Sequence, residues 1–99
     1  MIVVRRLIWN AFNAPHVAQH HITPEEVEQA CHGNHMVREG YDNRLMLVGP
    51  TDTGRVLAVI LAPRGNDVYY PVTAYPASRK LRRIYEAEKG GEEQHDAES

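Results

Sequence analysis

The sequence predicts a small α+β domain. Three observations carry that reading. A β-branched run, Ile2 to Trp9, opens the chain. A capped amphipathic helix follows between Ile22 and Gly33. From Met36 to Ala74, apolar runs alternate with tight turn signals. Loops that short join antiparallel neighbours, because parallel strands need long crossovers. The predicted order is strand, two short helices, three or four antiparallel strands and a closing helix.

Ile2–Trp9 (IVVRRLIW) reads as an edge or partly covered strand, because Arg5 and Arg6 fall on opposite faces. Trp9 reads as a packing aromatic. Pro15 suits a helical first turn, and a short helix is expected from about Pro15 to His20. The next helix has the clearest local signal. Thr23 is its N-cap, Pro24 takes the first helical position, and Glu26 completes a capping box. Glu25, Glu26 and Glu28 suit the positive end of the macrodipole. Val27, Ala30 and Cys31 form the apolar stripe, and Gly33 reads as the C′ residue.

Met36 to Gly40 is a weak strand, and Asp42-Asn43 tolerates the positive φ of a tight hairpin turn. Arg44 to Val48 is the next strand, closed by Gly49-Pro50. The apolar run Val56 to Ala62 is expected at the centre of the sheet, buried on both faces. Gly49, Gly54 and Gly65 read as turn glycines. In the last strand, Val68 to Ala74, Pro71 predicts an edge position or a bulge. The final helix is expected from Ser78, its N-cap, to Glu88, with Leu81, Ile84 and Tyr85 buried.

Length fits one domain, expected over residues 1–89, with an acidic tail at 90–99 whose composition reads as disordered. The formal charge of −2 conceals an asymmetry. All 11 Lys and Arg precede residue 90, whereas Glu92, Glu93, Asp96 and Glu98 lie after it. The domain itself is therefore mildly basic. No apolar run approaches the roughly 20 residues that span a bilayer, and the N-terminus lacks the order of a signal peptide. The single Cys31 excludes an intramolecular disulfide. A cytoplasmic protein without membrane contact is the expectation.

Most enzyme classes leave no mark here. No G-x-S-x-G, P-loop or dinucleotide fingerprint occurs. His16 and His20 have i, i+4 spacing, and His21, Cys31, His32 and His35 follow, but these spacings match no standard zinc finger. Neither a metal nor a cofactor is expected. His20 or His21 could serve as a general acid or base. The stretch Val72–Tyr85 (VTAYPASRKLRRIY) stands out instead. It places Arg79, Lys80, Arg82 and Arg83 on the final helix between Tyr75 and Tyr85. Clustered cations gain affinity for nucleic acid by displacing counterions from phosphates, although a solvated helix face has the same composition. RNA cleavage through its own 2′-OH needs the least apparatus, an aligned nucleophile, a proton acceptor and cations on the phosphate.

Trp9-Asn10…Asn13…His16-Val-Ala-Gln-His20-His-Ile-Thr-Pro-Glu25-Glu26-Val resembles the opening of BrnT-type toxins. In that family a Trp-Asp/Asn precedes a Lys/Arg-His-Gly-Val motif and a capped Glu-Glu helix. Arg44–Gly49, Gly54-Arg55-Val-Leu-Ala-Val and Val72–Tyr85 are similar to the family's strand and helix signatures. The likeness spans about residues 7–88. It implies a RelE-like domain, metal-independent endoribonuclease activity on RNA, and a BrnA-type antitoxin partner with a ribbon-helix-helix part. Carried onto this chain, the catalytic candidates are His20, Tyr75, Arg79 and Arg83, with Arg55, Lys80 and Arg82 as RNA-binding candidates. The chain departs from the pattern at three positions. Gln19 stands for the family's Lys/Arg, His21 for its Gly, and Tyr75 for its usual Arg before Pro-Ala-Ser. The losses at Gln19 and Tyr75 motivate a second reading, a non-catalytic module (a degenerate toxin or a regulator) that binds a partner protein. A helix-mediated homodimer is left open by the sequence.

Overall fold

The turn chemistry of residues 36–76 sets the architecture. In the computed structural model, which describes residues 1–90, these residues form four antiparallel strands, β2 Met36–Glu39, β3 Leu45–Pro50, β4 Val56–Pro63 and β5 Val68–Pro76. Asp42 and Asn43 have φ of 55° and 61°, and Asn66 and Asp67 have φ of 56° and 61°. Both residues of each pair are left-handed, the twist that a two-residue hairpin turn requires. The expected acidic tail lies outside the described residues, apart from Gly90.

The sheet has five strands rather than three or four, and it is mixed, in the order β1-β5-β4-β3-β2. β1, Arg6–Leu7, runs parallel to β5 at the edge. The expected antiparallel arrangement holds for β2 to β5 only. The first strand reaches the sheet's far side through a long excursion, so nothing local dictates its direction. Its ladder is short, although Arg5 N–H also donates to the Asp67 carbonyl and Ile8 N–H to that of Tyr69. β4 is central, and Leu57, Ala58, Val59 and Leu61 are fully buried.

α1, Asn13–Ala18, begins two residues earlier than expected because Asn10 organises the turn before it. The Asn10 Oδ1 accepts the N–H of Phe12 (2.8 Å) and of Asn13 (3.1 Å). α2, Pro24–His32, carries the capping box as expected. Gly33, however, is extended (φ −92°, ψ −164°) and not left-handed. Val27, Ala30 and Cys31 pack with Val17, Leu47, Leu57, Val59, Leu61 and Ala74 on one face of the sheet. Gly49 is the reason α2 can lie so close. A Cβ there would stand 2.5 Å from the Ala30 carbonyl oxygen and 3.0 Å from the His35 Cβ. It is a packing glycine in β3, not a turn glycine, unlike Gly54 and Gly65, whose φ are 87° and 86°.

Pro71 produces a bulge, not an edge. Ile60 pairs with Thr73 and Leu61 with Pro71, so the ladder slips by one residue at Val72. Buried Asn13 uses the carbonyl of Pro71, donating from Nδ2 to it (3.0 Å) and to Ile8 (2.8 Å). On the opposite face, α3, Arg79–Tyr85, follows its Ser78 N-cap and passes into a wider π-type turn, Glu86–Gly90. Tyr85 and Leu81 pack with Met36, Val48, Ala58 and Ala77. Ile84, expected to be buried with them, is 40% exposed. The i, i+4 row Leu81–Tyr85 alone faces the sheet.

Candidate functional site

The N-cap of α3 is set by its own sequence, since Ser78 Oγ accepts the N–H of Leu81 (3.2 Å). The helix then begins Arg79-Lys80 with no acidic residue in its first turn. Cations there oppose the positive end of the macrodipole. Arg79, Lys80, Arg82 and Arg83 are all exposed, and among the described residues none forms an ion pair. Local pairing with Glu86 is therefore not part of this helix's stability. Among the described residues two Arg ion pairs occur, both elsewhere, Arg38 with Glu88 (3.1 Å) and Arg55 with Glu26 (3.4 Å).

Tyr75, next to last in β5, packs against the cluster that α3 covers, as do Met46, Val56 and Leu81. The His20 ring lies 6.4 Å from it, centroid to centroid, edge to face. His16 meets His20 in the same way, again at 6.4 Å. The spacing of His16 and His20 thus produces a ring contact that carries the row to Tyr75. Gln19, at the end of α1, is exposed. His21 follows with φ 59°, a backbone that favours glycine.

The expected RNA contacts divide. Arg55 is half-buried and already engaged, donating Nη1 to the His21 carbonyl (2.8 Å) besides its pairing with Glu26. It ties the start of β4 to the α1–α2 turn. Arg82 and Arg55 line one cleft of about 350 Å³ with Gly54, Val56, Pro76, Ala77 and Glu86. A second cleft, about 340 Å³, is lined by Tyr75, Ile60, Met46, Arg44, Tyr41 and the Glu39-Gly40 corner. Tyr41 and Arg44 are sites the sequence reading missed. The signal was a large aromatic beside the Asp42-Asn43 turn, where no core is within reach.

His32 and His35 have structural partners, and Cys31 is buried in the core. His32 sets Nδ1 against the Glu28 carbonyl (2.9 Å) and Nε2 against that of Val4 (3.0 Å). Buried His35 accepts the Ile2 N–H at Nε2 (3.1 Å), which leaves Nδ1 to donate to the Gly33 carbonyl (2.9 Å). Its pKa is lowered, chiefly because burial disfavours the charged ring. Burial, with Glu28 nearby, pushes the Cys31 thiol up to about 12. Among the described residues, no three of these side chains gather as a metal-binding group. No described helix is long and apolar enough to cross a membrane.

The chain matches no family model, no curated protein and no solved structure. Its function must be read from the site.

Proposed function

We propose that this chain is a BrnT-like toxin with a RelE-like domain, a metal-independent endoribonuclease held in check by a BrnA-like ribbon-helix-helix antitoxin. The observation that carries the proposal is the meeting of His20 and Tyr75 (6.4 Å), with Tyr75 three residues before the N-cap of a helix that has four cations and no described ion pair. Residues 20 and 75 come from opposite ends of the domain, and their ring contact supports a proton-transfer pair. The left-handed backbone of His21 supports the same reading, since the resemblance places a glycine there.

Arg79 and Arg83, one turn apart on α3, hold the scissile phosphate and stabilise the charge that develops on it. His20 takes the proton of the 2′-hydroxyl as its oxygen attacks phosphorus. The P–O5′ bond breaks, and the departing oxygen takes the Tyr75 hydroxyl proton, leaving a 2′,3′-cyclic phosphate. Lys80 and Arg82 attract the flanking phosphates. The test is RNA cleavage by purified protein with chelator present. Wild type should cleave, and Arg79→Ala/Arg83→Ala should lose at least tenfold in rate. A wild-type protein that leaves RNA intact, and that is harmless when expressed in bacteria, would defeat the proposal.

One observation favours the second reading, a partner-binding module without catalysis. Arg55 is committed to Glu26 and the His21 carbonyl, and Gln19 and Tyr75 supply no charge. Tyr75→Arg separates the two. Increased cleavage marks a weakened ribonuclease, whereas unchanged inactivity with retained partner binding marks the module.

A further inference from the structure

The cleft beneath Tyr41 shares Tyr75 with the chemistry above, and its other lining residues have no part there. Its floor is Met46 and Ile60, cross-strand partners on β3 and β4. Tyr75 closes one side, and Tyr41 and Arg44 from the β2–β3 hairpin close the other. Tyr41 is 91% exposed, and an aromatic ring left in water on a turn contributes nothing to the core. Arg44 is exposed and forms no ion pair among the described residues. Two of its lining residues, Tyr75 and Met46, also pack against the cluster that holds Leu81 and Tyr85 of α3.

We propose that this cleft seats one unstacked base of a single-stranded RNA, with its ring against Tyr41 and its backbone turned toward Arg44 and the α3 cations. The inference rests on the ribonuclease reading and deepens it by naming a base subsite. Size limits the occupant. At about 340 Å³ the cleft is near the lower end of small-molecule sites and holds a single heterocycle, not a duplex. Chemistry limits it too. An apolar floor with two phenol rings and a guanidinium, beside the Glu39-Gly40 corner, suits a base, since proteins take single-stranded RNA by stacking bases on aromatic and Arg planes. A protein side chain would fill the apolar floor, but it would leave the cations of Arg44 and α3 without phosphates.

The experiment uses the full chain and a short fluorescein-labelled oligoribonucleotide with 2′-O-methyl sugars, which block cleavage. A matched set carries one abasic nucleotide at each position in turn, and binding is followed by anisotropy. One abasic probe should bind about tenfold more weakly than the intact strand, the loss expected for one base stack. Tyr41→Ala should weaken the intact strand by a similar factor and that abasic probe no further, while Tyr41→Phe retains affinity. Tyr41 is exposed, so Ala there leaves the fold intact. If Tyr41→Ala has no effect, or weakens every probe equally, the base subsite is overturned. If Arg79→Ala/Arg83→Ala still weakens binding in that case, the α3 phosphate site survives, and the cleft belongs to a protein partner. If wild type binds no probe, both readings fall.

Discussion

α2 and α3 lie on opposite faces of one sheet, and each begins with a hydroxyl N-cap. Their charges are reversed. α2 sets Glu25 and Glu26 in its first turn, His32 in its last, and locks its start with a capping box. α3 sets Arg79 and Lys80 where the helix end is already positive, with no acidic residue to offset them. One helix obeys every local rule of stability and the other breaks one at its first turn. Local rules are broken where a surface is kept for a ligand. On both faces, no buried side-chain N or O among the described residues lacks a partner. The α3 face carries the cations that no described acid meets.

The largest change should come from unseating α2. Gly49→Ala pushes a methyl group to 2.5 Å from the Ala30 carbonyl. The backbone must shift, and a loss of about 2–3 kcal/mol is expected in urea unfolding. An unchanged midpoint would mean that α2 is held less closely than its contacts with β3 imply.

The next effect is pH-dependent. His35 is neutral in the folded protein, with its pKa depressed below the ordinary 6.5. Its contribution is present above pH 6.5 and is lost as pH falls toward the depressed value, because the unfolded chain takes up the proton first. The slope for this one group has a ceiling of about 1.4 kcal/mol per pH unit. Unfolding midpoints between pH 7.5 and about 5 should show it, and His35→Gln should flatten that dependence. A slope of the same size in the variant would assign the effect elsewhere.

The smallest effect bears most directly on the comparison. Lys80→Glu should stabilise the domain by about 0.5 kcal/mol, because it gives α3 the charge order of α2, and it should weaken RNA binding. If the variant gains no stability, α3's cations are less opposed to its dipole than the charge order implies. If it gains stability and keeps its RNA affinity, Lys80 has no part in the site.

Much of α2 was legible because its determinants are local. Thr23, Pro24 and Glu26 lie within four residues, and the cap they predict is present. The hairpin at Asp42-Asn43 was legible for the same reason. The parallel pairing of β1 with β5 was not, because Arg6 and Val68 meet only after the intervening chain has folded. Gly49 misled because a glycine beside a proline has turn chemistry, and only the approach of Ala30 shows what it is for. At the site, the α3 cations were visible in the sequence, whereas Arg55's engagement with Glu26 depends on the α1–α2 turn returning to β4. Tyr41 was overlooked because a residue on a turn gains meaning only from the cleft beneath it.

The buried thiol of Cys31 has a practical corollary. With its ionisation pushed to about 12, it stays silent toward maleimides and iodoacetamides in the native protein at neutral pH. A cysteine introduced on the hairpin or on α3 would then be the sole labelling site. The native chain can therefore carry a dye or spin probe at the hairpin or on α3, with its own cysteine left in place.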